Sequence, residues 1–226
     1  MTPDSKDTSR MHRIFIVDDH PMLRDGLRNL FSQQESRGRV CGEAATAAEA
    51  ISALADSDAD IVLMDLTLPD RSGLEVIRDL HAMRPELPVL VLSMHDEMLY
   101  AERVIRAGGK GYLVKGASAE EIRRAVEEVV SGAIYLSDRA SKHVLQGLAK
   151  GKSGGLASGL QRLSDRELEV FELLGHGLST AEIGGKLQIS PRTVDAHRSN
   201  IRTKLGLPDS LAVIREAVIW VEVGSG

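Results

Sequence analysis

The chain has 226 residues, 42% of them hydrophobic and 27% charged, and carries a net charge of −5. This length fits two ordinary domains or one large one, and the composition is that of a globular protein rather than a disordered or fibrous one. The negative balance excludes a chain that is basic throughout, the single cysteine excludes an intramolecular disulfide, and no apolar run approaches the roughly 20 residues of a membrane span.

The opening MTPDSKDTSR is polar and lacks the apolar core of a signal peptide, so residues 1–11 are expected to form a disordered leader and the protein to be cytoplasmic. From Arg13 to about Ala133, apolar runs alternate with amphipathic segments. RIFIV, RVCGEA, DIVLMD, PVLVLS and GYLVK read as strands; MLRDGLRNLFSQ, AAEAISALAD, GLEVIRDLHAM, DEMLYAERVIRAG and SAEEIRRAVEEVVSG read as helices. Strands alternating with helices of ten to fifteen residues imply a parallel sheet covered on both faces, and the nearly continuous apolar strands agree. The fold class is therefore α/β, a doubly wound (βα)5 parallel sheet. Aromatic residues are only 3% of the chain, so its core has to be built from aliphatic side chains. Cys41, within RVCGEA, is expected to be a small buried apolar residue rather than a reactive thiol.

Past Gly132 the pattern changes. SDRASKHVLQGLAK predicts one helix, and GKSGGLASG reads as a flexible linker. From Leu163 on, only helical patterns remain: SDRELEVFELLGHG, STAEIGGKLQ, SPRTVDAHRSNIRTKLG and DSLAVIREAVIWVE. They form a small all-α four-helix domain, large enough to fold alone.

In an open parallel sheet, ligands bind at the carboxyl ends of the strands. Four of the five predicted strands place chemistry there: Asp18 and Asp19 after the first, Asp65 after the third, Ser93 after the fourth and Lys115 after the fifth. Three converging carboxylates repel one another without a cation, and hard oxygen ligands suit Mg²⁺. Lys115 adds a compact positive charge and Ser93 a hydroxyl. A cation site beside a carboxylate nucleophile suits phosphoryl transfer onto an aspartate. Any one of these residues alone would read as an ordinary loop residue; the five together do not.

The residues DD, MDLTLPDRSG, LS and GYLVK, at these spacings, resemble the receiver domain of bacterial two-component response regulators. The resemblance spans about residues 12–134. It implies that Asp65 accepts a phosphoryl group from a sensor histidine kinase. It also implies that Asp19, Asp65 and the backbone carbonyl of Thr67 ligate Mg²⁺ with Asp18 acting through water, and that Lys115 pairs with the phosphoryl group. Ser93 matches the switch hydroxyl and Tyr112 the switch aromatic; in such receivers the hydroxyl moves toward the phosphate and the aromatic turns inward. Many members carry Pro after the lysine, in a cis bond; here Gly116 stands there, and no cis peptide is implied.

In the helical domain, Ser190 is a good N-cap, Pro191 suits the first helical position, and Gly206 with Pro208 ends the helix. Helical geometry places Val194, Ile201 and Leu205 on an inward face and Arg192, Ala196, Ser199 and Thr203 on the opposite one. Arg198, Arg202 and Asp195 lie along one flank, Lys204 and Thr193 along the other. Small and basic residues facing outward suit close approach to DNA, and fifteen residues make a rod of about 22 Å. Over Ser190–Leu205, four basic residues (Arg192, Arg198, Arg202 and Lys204) stand against Asp195 alone. The preceding STAEIGGKLQ completes a helix-turn-helix. DRELEVFELL is acidic and is expected to face away from DNA. A helical packing module without nucleic acid is the competing reading of this pattern.

LSDRELEVFELLGHGLSTAEIGGKLQISPRTVDAHRSNIRTKLG resembles the DNA-binding output domain of the NarL/FixJ (LuxR-type) regulators, over about residues 160–222. By that likeness Asp195, Ala196 and Ser199 stand where base-edge readers lie, and Thr193, Arg198 and Lys204 near phosphates. The sequence departs from the family where a basic residue is common, at Asp195 and Ser199, so base preference is not legible, and Asp195 has Arg198 and Arg202 in reach for a helix-surface pair. Gly184 and Gly185 fall inside the scaffold helix, where each costs about 0.8–1 kcal/mol against Ala, so this helix is expected to be soft. The last helix places Leu211, Ile214, Val218 and Trp220 on apolar faces, part closing the core and part available for a symmetric dimer contact.

The expected organisation is a leader (1–11), a receiver domain (12–134), a linker helix with a flexible linker (135–159) and a LuxR-type helix-turn-helix domain (160–222). The expected function is a response regulator whose phosphorylation at Asp65 controls binding to double-stranded promoter DNA. It would act as a homodimer when phosphorylated or DNA-bound, with no membrane partner and no substrate turnover. The alternative is a Mg²⁺-dependent aspartyl-phosphate phosphatase or phosphotransferase. Haloacid-dehalogenase-type enzymes carry a second Asp two residues after the nucleophile; Thr67 holds that position, and the helix-turn-helix has no purpose in that reading. A receiver-like scaffold that never takes phosphate is argued against by the full acidic set.

Overall fold

The structure is a computed structural model that describes residues 11–33, 37–149, 159–160 and 162–224. All but the last residue of the expected leader (1–11) and nearly all of the Gly/Ser linker fall outside the described residues. The chain divides into two compact units, Met1–Ser141 and Lys142–Gly226.

The first unit is built on five parallel strands, β1 (His12–Val17), β2 (Gly38–Ala44), β3 (Ile61–Met64), β4 (Val89–Ser93) and β5 (Gly111–Val114), in the order β2-β1-β3-β4-β5. Helices α1 (Pro21–Ser32), α2 (Ala47–Ala55), α3 (Gly73–Met83), α4 (Glu97–Ala107) and α5 (Ala119–Val130) alternate with them. β3 and β4 are buried at every position, as interior parallel strands must be when both faces are covered. Strand order reverses between β1 and β3, so their carboxyl ends open the crevice where such sheets bind ligands. The helix starts are capped by side chains: Thr46 and Ser118 accept hydrogen bonds from Glu49 and Glu121 N–H groups, and Ser118 with Glu121 forms a capping box. Gly108, at φ 101°, ends α4 in the left-handed conformation.

Cys41 corrects an expectation. It is exposed, because the β1–β2 register jumps there: Ile14 pairs with Val40 and Phe15 with Gly42, leaving Cys41 as the extra residue of a bulge on an edge strand. Partial burial and nearby Asp58 push its thiol pKa up, away from the reactive thiolate.

The other edge of the sheet is covered. Tyr135 bridges Gly111 in parallel fashion, Tyr112 N–H donates to Tyr135 O at 2.9 Å, and Tyr135 N–H donates to Lys110 O at 3.0 Å. A covered edge is protected from pairing with other chains. α6 (Asp138–Ala149) follows.

The second unit holds α7 (Asp165–Gly175), α8 (Thr180–Lys186), α9 (Pro191–Leu205) and α10 (Ser210–Gly224). Ser164 and Ser179 form capping boxes with Glu167 and Glu182, and Ser190 caps α9 by accepting from Thr193 N–H. Gly206, at φ 68°, ends α9. α10 differs from expectation. Its core-facing residues are Ala212, Val213 and Ala217, whereas Leu211 is 76% exposed. A Cβ at Gly175 would lie 2.5 Å from Ala217 O, so α7 and α10 approach too closely for large side chains between them. No helix among the described residues is long and apolar enough to cross a membrane.

Candidate functional site

The parallel register assembles the site. β1 and β3 pair from Ile14↔Ile61 to Val17↔Met64, so Asp18 and Asp65 follow at one level, and Asp65 N–H donates to Val17 O at 2.8 Å. β4 and β5 end together, with Lys115 N–H donating to Ser93 O at 2.8 Å. Lys115 thereby reaches across: its Nζ lies 2.7 Å from Asp65 Oδ2 and 2.8 Å from Asp18 Oδ2. Both carboxylates are at least 97% buried.

One ammonium between two buried carboxylates leaves a net negative centre. Burial pushes the Asp65 carboxyl above its ordinary pKa, and Asp18 adds to this while Lys115 opposes it without cancelling it. Burial lowers the Lys115 pKa, but Asp65 and Asp18 outweigh it and hold the ammonium above the usual lysine value. Asp19 completes the cluster. Its Oδ1 is shielded from solvent and takes no hydrogen bond, although His20 Nδ1 stands 2.6 Å away. One ligand atom from each of Asp18, Asp19, His20 and Asp65 falls within 4.8 Å of the others. Hard carboxylate oxygens gathered around excess negative charge fit a divalent cation.

Around this cluster runs a set of polar contacts that converge on His95. Its Nε2 is 2.8 Å from Thr67 Oγ1, its N–H donates to Ser93 Oγ at 3.4 Å, and its carbonyl accepts from Tyr112 Oη at 2.8 Å. Its ring stacks on Tyr100 with centroids 4.6 Å apart. Tyr112 is turned inward, 1% exposed. Ser93 is fully buried.

Three residues here escaped the sequence reading. His20 stands next to the paired aspartates, a signal that was present and unused. His95 gave no signal, since its role depends on the loop after β4 meeting the loop after β3. Gly73 sits behind Asp65: a Cβ there would collide with Asp65 O and lie 2.7 Å from Leu66 Cα, while Gly73 N–H donates to Leu66 O at 2.8 Å. Only glycine permits that approach.

In the second unit, α9 buries Val194 and Ile201 and half-buries Leu205. Arg192, Thr193, Asp195, Ala196 and Ser199 are exposed and Arg202 half-exposed. Asn200, absent from the sequence-based set, is exposed beside them. Two predicted phosphate-contacting residues are engaged inside the unit. Lys204 Nζ lies 2.6 Å from Glu167 Oε2, and Arg198 Nη1 donates to Thr180 Oγ1 and Asp195 Oδ1, each at 3.2 Å. Arg198 thus ties α9 to the start of α8. Its side chain is only 19% exposed.

The acidic residues of α7 are buried: Glu169 pairs with Arg166 at 2.7 Å, and Arg166 also donates to Leu187 O at 2.6 Å. In α8 the two glycines differ. Gly184 lies beneath the turn, where a Cβ would meet Ile189 O at 2.8 Å, and its own carbonyl accepts from Ile189 N–H at 2.9 Å; a Cβ at Gly185 would meet nothing within 4 Å. Gly184 therefore has a packing reason, and the softness expected of this helix falls on Gly185 alone.

Comparison with known proteins agrees with both halves. Residues 14–127 match the family described as response regulator receiver domain, and residues 161–217 match the bacterial regulatory proteins of the luxR family. The transcriptional regulatory protein DegU of Brevibacillus brevis is 30% identical over 226 residues, covering 93% of this chain and 95% of its own. The response regulator UvrY of Escherichia coli (strain K12) is 31% identical over 210 residues, covering 92% and 94%. Among solved structures, RcsB of Salmonella enterica serovar Typhimurium, bound to promoter rprA in the presence of phosphomimetic BeF3−, is 25% identical with a TM-score of 0.60 and covers 90% of this chain and 96% of its own. The chain belongs to the response regulators of the NarL/FixJ family, a receiver domain joined to a LuxR-type DNA-binding domain.

Proposed function

We propose that Asp65 is the phospho-acceptor of a transcription-regulating switch, charged by a sensor histidine kinase and read out as sequence-specific binding of double-stranded promoter DNA. The observation that carries this reading is the buried triad of Asp65, Asp18 and Lys115, with Lys115 Nζ 2.7 Å from the acceptor carboxylate. A carboxylate oxygen of Asp65 attacks the phosphorus of a phosphohistidine; the P–O bond forms, the P–N bond breaks, and the released imidazole nitrogen recovers a proton. Asp19 and Asp65, with the carbonyl of Thr67 and with Asp18 through water, would hold Mg²⁺, whose chemistry is to reduce repulsion between the attacking carboxylate and the phosphoryl oxygens. Asp65 takes the group onto itself rather than turning over a substrate.

Phosphorylation adds roughly −1.5 to −2 charges and new acceptor oxygens. Lys115, already beside Asp65, turns its N–H donors to the phosphoryl group, and the Ser93 hydroxyl is drawn to it. Because His95 contacts Ser93, Thr67 and Tyr112 together, movement of Ser93 displaces the loop that carries His95 and with it the carbonyl that holds the Tyr112 hydroxyl. In the second unit, exposed Asp195, Ala196 and Ser199 would face base edges, with Arg192, Thr193 and Arg202 at phosphates. Arg198 and Lys204 position α9 through Thr180 and Glu167. The receiver is taken as residues 12–134, the linker as 135–159 and the output domain as 160–222, with phosphorylation favouring homodimers on paired half-sites. RcsB, described bound to promoter DNA with a phosphomimetic, supports this reading.

The test is a gel shift on genomic promoter fragments with and without a small phosphodonor and Mg²⁺. Binding should tighten at least tenfold for the wild type and stay unchanged for Asp65→Asn. Equal binding in every state would overturn the switch.

A further inference from the structure

Asp195 puts a carboxylate on a face of α9 whose other exposed side chains, Arg192, Thr193, Ala196 and Ser199, are small or basic. Its side chain is 61% exposed. Backbone phosphates repel it, so on a DNA-facing surface it costs affinity unless the DNA offers it a donor. The carboxylate is also held in place. Its Oδ1 accepts from Arg198 Nη1 at 3.2 Å, and the same nitrogen donates at 3.2 Å to Oγ1 of Thr180, the first residue of α8. Arg198 is itself largely buried, so the group that fixes Asp195 is anchored in the fold. Asp195 Oδ2 takes no hydrogen bond among the described residues. A carboxylate with one oxygen engaged and the other open is a pre-oriented acceptor, and pre-orientation removes part of the ordering cost of binding.

We infer that Asp195 selects cytosine: its Oδ2 accepts a hydrogen bond from a cytosine N4 amino group in the major groove, and Arg198 is the residue that positions it. This rests on the reading, proposed above, that α9 meets double-stranded DNA with Asp195 at the base edges. The chemistry discriminates among the four bases. Guanine shows the N7 and O6 acceptors in the major groove, and thymine shows O4 beside its methyl group; these acceptors repel a carboxylate. Adenine shows its N6 amino group next to the N7 acceptor, so attraction and repulsion compete. Cytosine shows the N4 donor with no acceptor of its own beside it. An Asp195–Arg198 pair that only braced the surface of α9 would act differently: removing it would change affinity for every sequence alike.

The experiment selects binding sites from a randomised duplex library with the full chain, treated with a small phosphodonor and Mg²⁺, for the wild type, Asp195→Ala and Asp195→Asn. Affinities are then measured on the selected duplex and on duplexes changed at one base pair at a time. The wild type should enrich a motif with a C·G pair in each half-site whose replacement costs about fivefold or more. Asp195→Ala should lose the preference at that pair and keep the rest of the motif. Asp195→Asn keeps an oxygen for Arg198 and gains an amide that suits adenine N6 and N7, so it should shift that pair from C to A. An Asp195→Ala motif identical to that of the wild type, a relaxation confined to a pair other than C·G, or an equal loss on every sequence overturns the role of Asp195 and leaves DNA binding standing. If the wild type enriches no motif, sequence-specific binding itself fails, and this inference with it.

Discussion

The acidic crevice of the receiver and the outward face of α9 are opposite solutions to exposing chemistry. The crevice buries its charged groups and satisfies them with one another: two carboxylates at least 97% buried share one lysine. The outward face of α9 does the reverse. Its outermost residues, Arg192, Thr193, Ala196 and Ser199, stand in solvent, while Arg198 and Lys204 are drawn into the unit. A buried charged site is specified by partners on several elements and tolerates no substitution quietly. An exposed interface is specified by what the fold leaves unoccupied.

The largest expected effect breaks the buried site. Lys115→Met leaves Asp18 and Asp65 without their cation, and should destabilise the receiver by about 3 kcal/mol in denaturant unfolding without Mg²⁺. Asp65→Asn should do the opposite. The folded state holds the Asp65 proton more tightly than the unfolded chain does, because burial raises its pKa. Stability is therefore lost as pH rises from the unfolded value, about 3.9, through the raised folded value. Removing the carboxylate should restore that stability near neutral pH and restore nothing in acid. Unfolding curves at both pH values check the sign.

A second expectation separates close approach from charge. Gly73→Ala places a Cβ against Asp65 O and Leu66 Cα, and should cost about 2 kcal/mol while slowing phosphorylation, since the acceptor backbone itself must shift.

How much of this was legible follows the same division. Strands and helices of both units carried their own signals: apolar runs, capping serines and glycine stops. Asp18, Asp19, Asp65 and Lys115 were legible as a set because parallel strands deliver their carboxyl ends to one edge. Cys41 was misread because a register jump between β1 and β2 has no local signature. The sequence put Leu211, Ile214, Val218 and Trp220 of α10 on apolar faces without separating those that close the core from those that stay outside it; the small residues Ala212 and Ala217 were the ones its neighbour required. Lys204 and Arg198 could not be placed from α9 alone, since their partners, Glu167 and Thr180, belong to other helices.

The α9 contrast gives a subtler expectation. Arg192→Ala should lower the salt dependence of DNA binding by about one unit of slope and leave stability untouched. Lys204→Ala should leave the slope nearly unchanged and cost less than about 1 kcal/mol, because the Lys204–Glu167 pair is partly solvent-screened. Salt titrations of both variants distinguish a phosphate contact from an internal brace. Smallest of all, Gly185→Ala should stabilise the second unit by just under about 1 kcal/mol, since open space surrounds that position.

The claim that binds these together is that the phosphoryl group arrives at Asp65. Incubating the full chain with a small phosphodonor and Mg²⁺, then mapping the modified peptide, tests it directly. The account predicts a single hydroxylamine-labile phosphate on the peptide carrying Asp65, absent from Asp65→Asn. A phosphate on another residue, or one that persists in Asp65→Asn, would contradict it.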